Sequence, residues 1–292
     1  MVYLNLGKNG GLNKMSKKIL LYLITLSMLV FTSAISAKSI RIGTEGAYPP
    51  WNNINAAGEL EGAEIDFGNE ACERMGAECE WVIQDWDGII PALLNGKYDI
   101  IIAGMSITEE RKLKVNFTNG YMNDGARFWV LKDSGLADLS VAGVSKVNMN
   151  TAGGKEKAAV GQIIAAFEGK NVCVQSSTTH ANFATQYMST GSNVKLYQTV
   201  DDHNIDLVAG RCDAVLSDVA SAVDFMATDQ GSNAAFTGPT FSGGPWGDGV
   251  GGAIRKEDTD ILEMWNKAIA EMSADGTTAK ITEKWFGRDM SM

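Results

Sequence analysis

The side chains best suited to chemistry lie far apart in the sequence but sort cleanly by charge. Arg111 carries a planar, permanently charged fork that matches a carboxylate. Ser106 and the run Ser177-Thr178-Thr179 precede helical patterns, whose first N–H groups lack internal partners and suit the same anion. Asp218 offers an acceptor for an ammonium group, and Glu45 a second negative charge. Tyr48 and Trp86 offer flat faces for an aliphatic stem or a cation. Together these groups complement a small zwitterion with one extra positive charge, which describes a basic amino acid. Each also has a plainer reading. Arg111 within Glu109-Glu110-Arg111-Lys112 fits a solvated helix face, and Asp218 fits a helix cap. Glu45 fits an exposed loop acid, Trp86 a core residue, and Ser176 to Thr179 a capping run. The argument for a site is convergence. These groups follow apolar runs that read as strands, and in open parallel sheets ligands sit outside the carboxyl ends of the strands.

The elements that would position them announce themselves by repetition. Leu94-Asn95-Gly96-Lys97-Tyr98-Asp99-Ile100-Ile101-Ile102 reads as a helix end, a glycine stop, a basic residue, an Asp and an apolar strand. Val208-Ala209-Gly210-Arg211-Cys212-Asp213-Ala214-Val215-Leu216 repeats that order. Gly96 and Gly210 suit the left-handed residue that ends a helix, and the short apolar runs suit strands buried on both faces. Two lobes of similar α/β construction follow. Strands are expected at Ser39–Gly43, Glu80–Gln84 and Asp99–Ala103, with helices over Glu64–Met75, Asp87–Asn95 and from Thr108. Arg127–Leu131 reads as a strand leaving this lobe. The second lobe then runs strand Val172–Gln175, helix Ala181–Met188, strand Val194–Tyr197, helix Asp202–Ala209 and strand Ala214–Leu216. The tail from Thr259 to Phe286 is mostly helical and is expected on the first lobe. Lobe 1 is thus residues 38–125 with 248–292, and lobe 2 is residues 126–247 with an insertion at 133–157. Two crossings between lobes imply a two-strand hinge beside a cleft.

Bulk properties narrow the partners. The 292 residues carry a formal net charge of −10 and no basic run beyond Lys17-Lys18, so nucleic acid is not an expected partner. Lys14, Lys17 and Lys18 precede an apolar stretch from Ile19 to Phe31, with small residues through Ala37. That pattern reads as a signal peptide over 1–37, with Met15 as an alternative start. Export permits disulfides. Cys72 and Cys79 straddle a helix end, where Gly76 lets the chain fold back, so a bridge is geometrically reasonable. Cys173 and Cys212 stay open between a bridge and two buried thiols. Neither His180 nor His203 has a partner at metal spacing, so no metal or cofactor is expected.

At these residues the chain resembles the periplasmic solute-binding proteins for polar amino acids. It is similar above all to binders of lysine, arginine and ornithine, of histidine, and of octopine and nopaline. The likeness rests on Ile42-Gly43-Thr44-Glu45 with Tyr48; Gly62-Ala63-Glu64-Ile65-Asp66; Met105-Ser106-Ile107-Thr108-Glu109-Glu110-Arg111; Ser177-Thr178-Thr179; Gly210-Arg211-Cys212-Asp213-Ala214; and the ending Asp275-Gly276-Thr277 to Lys284-Trp285-Phe286. The resemblance implies a two-lobed α/β fold that closes over its ligand and docks on a membrane ABC permease. By position it implies that Arg111 and the amides of Ser106 and Thr179 grip an α-carboxylate. It also implies that Asp218 accepts from the α-ammonium and that Glu45 faces the distal charge. Trp86 would lie along the side chain, and Cys72–Cys79 would match a disulfide. The chain departs from the pattern at Ala103 and Gly104, where the basic-amino-acid binders have two serines. Hydroxyl contacts are lost there, leaving backbone carbonyls and more room. The opine binders are also small there. Arginine or a close relative is therefore expected first, bound by a monomer in the periplasm, with an opine-type arginine conjugate next. A lyase like cyclohexadienyl dehydratase on the same scaffold is the alternative of another class. It would need Glu45 or Asp218 held protonated as a general acid.

Overall fold

The computed structural model describes residues 38–292 apart from 140 and 142, so the expected signal peptide lies outside the described residues. Fourteen strands are assigned among these residues, in three sheets. They are β1 (Ser39–Thr44), β2 (Ala47–Tyr48), β3 (Asn52–Ile54), β4 (Leu60–Glu61), β5 (Glu78–Ile83), β6 (Ile100–Ile101), β7 (Asn116–Phe117), β8 (Ala126–Leu131), β9 (Lys146–Asn148), β10 (Asn171–Gln175), β11 (Asn193–Tyr197), β12 (Ala214–Asp218), β13 (Ala234–Ser242) and β14 (Ala253–Ile254). The first sheet has the order β5-β1-β6-β14-β7, the second β11-β10-β12-β8-β13-β9, and β2-β3-β4 form a small antiparallel meander. In the first sheet β5, β1 and β6 are parallel. In the second β11, β10 and β12 are parallel, and β8 runs antiparallel to β12 and β13.

Strand periodicity explains why both sheets are covered on both faces. Ile40, Ile42, Ile100 and Ile102 enter one core with the helix Ala63–Met75 and the tail helix Thr259–Ala274, whereas Ile101 and Ala103 enter another with Trp86, Leu93 and Tyr98. The second sheet divides likewise, with Val172, Val174, Ala214 and Leu216 on one side and Cys173 and Val215 on the other.

The repeated joint has one physical cause in both lobes. Asp99 accepts from the backbone N–H of Arg41 at 3.0 Å and returns its own N–H to the Arg41 carbonyl at 2.9 Å. Asp213 does the same with Asn171, at 2.8 and 2.9 Å. Each Asp thus pins the start of the neighbouring parallel strand after a left-handed glycine (φ 75° at Gly96, 71° at Gly210). Both cysteine pairs are bridged. Cys72–Cys79 ties the end of a helix to β5 with Cα atoms 6.2 Å apart, and Cys173–Cys212 ties β10 to the loop before β12 at 6.0 Å.

The structure departs from the sequence reading most in the second sheet, and it adds a helix, Gly154–Ala166, that starts inside the expected insertion. Residues 133–157, read as a weakly periodic insertion, contain β9, which pairs with β13 and buries Val147 in the core. The nine-residue β13 itself was not anticipated, because Gly238-Pro239 interrupts its alternation where the register shifts between Thr237 and Phe241. Between the sheets the chain crosses twice, and the two crossing segments bond side by side: Val250 N–H donates to the Met122 carbonyl at 2.8 Å and Tyr121 N–H to the Val250 carbonyl at 2.9 Å.

Candidate ligand-binding site

The carboxyl ends of β1, β6, β10 and β12 converge on one cavity. Glu45, Tyr48, Trp86, Gly104, Ser106, Arg111, Thr178, Thr179 and Asp218 all line it. Two expected residues do not. The Met105 side chain is buried in the core with Trp86 and Leu93 and reaches only an outer groove, and Ser177 also lines that groove. Their expected place followed from sequence neighbours; which way each side chain points followed from the turn. Ser177 contributes through its backbone. Its left-handed conformation (φ 57°) leaves a carbonyl that accepts from Trp86 Nε1 at 3.1 Å and from Arg111 Nη2 at 3.3 Å.

Arg111 is held by local helix chemistry. Thr108 caps the turn Glu109–Lys112 by accepting from the Arg111 N–H at 3.3 Å, and the guanidinium folds back to the Ser106 carbonyl at 3.0 Å. It lies 5.3 Å from the Trp86 ring centre. Burial lowers its pKa to about 10, with Glu110 and Asp218 pulling the other way. A carboxylate arriving beside it would restore the charge balance that burial disturbs.

Asp218 occupies the N-cap position of the helix Val219–Ala227 yet makes no capping bond. Asp124, from the first crossing segment, takes that duty: its Oδ2 accepts from Ala220 N–H at 2.7 Å. Asp218 is thereby free to face the cavity. Tyr48 Oη donates to it from the opposite lobe, and His180 Nε2 lies 3.5 Å away with no hydrogen-bond partner. The His180 ring rests against Trp246, at 5.3 Å between ring centres. Asp124 also accepts from Arg288 of the C-terminal tail at 2.7 Å. Burial, with Asp218 nearby, pushes the Asp124 carboxyl up to about 7.

Glu45 lies at the other end of the cavity and is 6% exposed. Burial pushes its carboxyl from the usual 4.5 up to about 7; a bond from Gln175 opposes the rise, and the charges of Asp85, Asp87 and Glu64 add to it. Gly104 (φ 60°) sits between the two ends. A Cβ there would meet the Tyr48 ring at 2.9 Å, so only glycine lets the ring close over the strand end. Glu64 braces this wall, accepting from Gly104 N–H at 2.7 Å and from Asn52 Nδ2 at 2.9 Å. No group of three or more His, Cys, Asp or Glu suited to a metal ion occurs among the described residues, and no helix there is long and apolar enough to cross a membrane.

Sequence reasoning missed Gln175, His180, Asp124 and Trp246. Adjacency to Ser177-Thr178-Thr179 was the available signal for Gln175 and His180; Asp124 and Trp246 had none.

Known proteins of similar sequence share this arrangement of chain. The L-arginine-binding protein of Pseudomonas aeruginosa is 37% identical over 279 residues, covering 94% of this chain and 98% of that one. The octopine-binding periplasmic protein of Rhizobium meliloti is 36% identical over 277 residues, covering 89% and 94%. A solved ancestral arginine-binding protein bound to arginine superposes with a TM-score of 0.72 at 34% identity, covering 85% of this chain and 98% of that chain. The family model of bacterial extracellular solute-binding proteins, family 3, matches residues 40–288, and the chain belongs to that family.

Proposed function

We propose that this chain is a non-catalytic periplasmic carrier that captures a basic amino acid, arginine first, and delivers it to a membrane ABC permease. The jaws are residues 38–125 with 248–292, and residues 126–247. Arg111 and the amides of Ser106 and Thr179 take the α-carboxylate, Asp218 the α-ammonium and Glu45 the distal cation, with Tyr48, Trp86, Gly104 and Thr178 forming the walls. The observation that supports this reading is that Asp124, not Asp218, caps the helix, so the Asp218 carboxylate, held by Tyr48 Oη, lines the same cavity as the Arg111 guanidinium. The leader over 1–37 would direct export, and the carrier would work as a monomer.

The same end of the site weighs against an opine. An opine bears a second carboxylate on its α-nitrogen. Beside Asp218 that group would face a narrow adjoining recess lined by Asp124 and Asp218, where like charge opposes it. Octopine relatives and the room at Gly104 nonetheless make opines the proper comparison. A lyase acting on a dicarboxylate would meet the same repulsion, at Glu45 as well, although the raised Glu45 pKa is what such an acid needs. A thermal-shift screen of amino acids, octopine and nopaline tests the proposal, because a ligand that binds only the folded form raises the melting temperature. Arginine is expected to give the largest shift. No shift with any basic amino acid overturns the reading, a larger shift with octopine moves it to opines, and turnover of prephenate or arogenate replaces it with an enzyme.

A further inference from the structure

Gln175 is a buried polar side chain with no role so far. It ends β10, is 6% exposed, and meets Glu45 from the opposite lobe. Its Nε2 donates to Glu45 Oε1 at 2.6 Å and to the Gln198 carbonyl at 2.9 Å. Both neighbours are acceptors, so the amide has one sensible orientation, with the nitrogen toward them and Oε1 turned away. Among the described residues no N–H or O–H donates to Gln175 Oε1 or to Glu45 Oε2, and both side chains line the cavity. Two acceptor oxygens, one from each jaw, are therefore uncommitted at the distal end.

We propose that Gln175 is a specificity-determining residue for a guanidinium group: its Oε1 and the free Glu45 oxygen accept N–H groups from one planar head. The inference rests on the basic-amino-acid reading and deepens it, since it selects among cations. A guanidinium spreads five N–H donors over a rigid plane and is weakly hydrated, so it can engage two separated acceptors without rearrangement. An ammonium is a compact, strongly hydrated point charge. In a buried site it loses water and gains little from a neutral amide oxygen. The Gln175 N–H groups meanwhile hold Glu45 in place before the ligand arrives, which reduces the ordering left for binding. Because the two acceptors belong to different jaws, a bound guanidinium also bridges the closed state and favours it.

Calorimetry on the whole mature protein tests this with L-arginine and L-lysine, in the wild type and in Gln175→Leu, which has similar bulk and no amide. The wild type is expected to prefer arginine by roughly tenfold or more, the scale of one hydrogen bond to a charged group. Gln175→Leu is expected to lose that much on arginine and to lose markedly less on lysine. An unchanged arginine-to-lysine ratio overturns the proposal. If thermal melting shows that Gln175→Leu is unfolded, the wild-type comparison decides alone: equal affinities, or tighter lysine, overturn it. Failure of the wild type to bind either cation overturns the underlying reading instead, and is seen before any variant is made.

Discussion

The two ends of the cavity solve opposite electrostatic problems. At the proposed α-group end, other residues place Arg111 and Asp218: Thr108 orders the turn that carries Arg111, and Asp124 takes over the cap that Asp218 would otherwise make. At the distal end, Glu45 is enclosed, faces Asp85 and Asp87, and is pushed up to about 7. At the first end the Arg111 guanidinium, with a pKa of about 10, is charged at neutral pH. The second is half neutral near pH 7 until a cation arrives. The α-end should therefore set whether any amino acid binds, and the distal end which one.

Arg111→Ala breaks the first half of this contrast most severely. Removing one partner of a desolvated ion pair costs about 3–5 kcal/mol. Arginine and glutamine should both lose affinity by that amount in calorimetry, because each presents the same α-carboxylate. The ligand-free melting temperature should hold or rise, since burial already disfavours the Arg111 charge. A loss confined to arginine would place Arg111 at the wrong end of the ligand.

How far this contrast was legible in the sequence depends on where each interaction is made. Glu45 follows β1, Asp218 ends β12 and Arg111 lies on the turn after β6, all strands that apolar runs mark plainly, and the joint repeated at Gly96 and Gly210 fixed the expectation of two similar sheets. The structure gathers them around one cavity with Tyr48, Trp86 and Gly104. The partners that tune them were not legible. Gln175 and Glu45 are 130 residues apart, and Asp124 and Ala220 are 96 apart, so each pairing exists only once the jaws are packed. Met105 shows the converse limit. Its place in the motif beside Ser106 suited the site, but the turn sends its side chain into the core.

Glu45→Gln sharpens the second half. Arginine should weaken by about 2–3 kcal/mol, since hydrogen bonds to charged groups are the stronger ones, while glutamine should change by less than about 1 kcal/mol. The pH profile gives an independent reading. Glu45 has a folded-state pKa raised above its unfolded value, so its contribution to stability is fully present below about 4.5 and is lost as pH rises through about 7. Without ligand the protein should therefore lose stability across that window, and Glu45→Gln should reduce the loss by up to about 3 kcal/mol. Asp124 titrates in the same range and keeps part of the slope. A cation binds the carboxylate form, so wild-type affinity for arginine should rise with pH up to about 7 and then level off. Identical profiles in the wild type and Glu45→Gln would refute the distal assignment.

Trp86→Ala should act at both ends, more weakly. The ring stacks on Arg111 and its Nε1 bonds Ser177 across the jaws. A loss of about 1–2 kcal/mol is expected for arginine, from stacking and one hydrogen bond. Shorter amino acids should lose less. Equal losses for alanine and arginine would make Trp86 a closure residue without contact along the side chain.

Asp124→Ala is the smallest and most diagnostic change, because the residue touches no ligand group in the proposed pose. Its removal leaves the Ala220 N–H without an acceptor, at a cost of about 1 kcal/mol in stability, and Asp218 is the nearest carboxylate able to cap in its place. Each time Asp218 turns to the helix it leaves the cavity. Affinity for every α-amino acid should then fall by roughly tenfold or less, with the arginine-to-lysine ratio unchanged. Asp124→Asn keeps a cap oxygen and should restore affinity without restoring the charge. If Asp124→Asn binds as poorly as Asp124→Ala, the carboxylate acts through its charge on Asp218 and the tail Arg288, and the division of labour between the two acids is wrong.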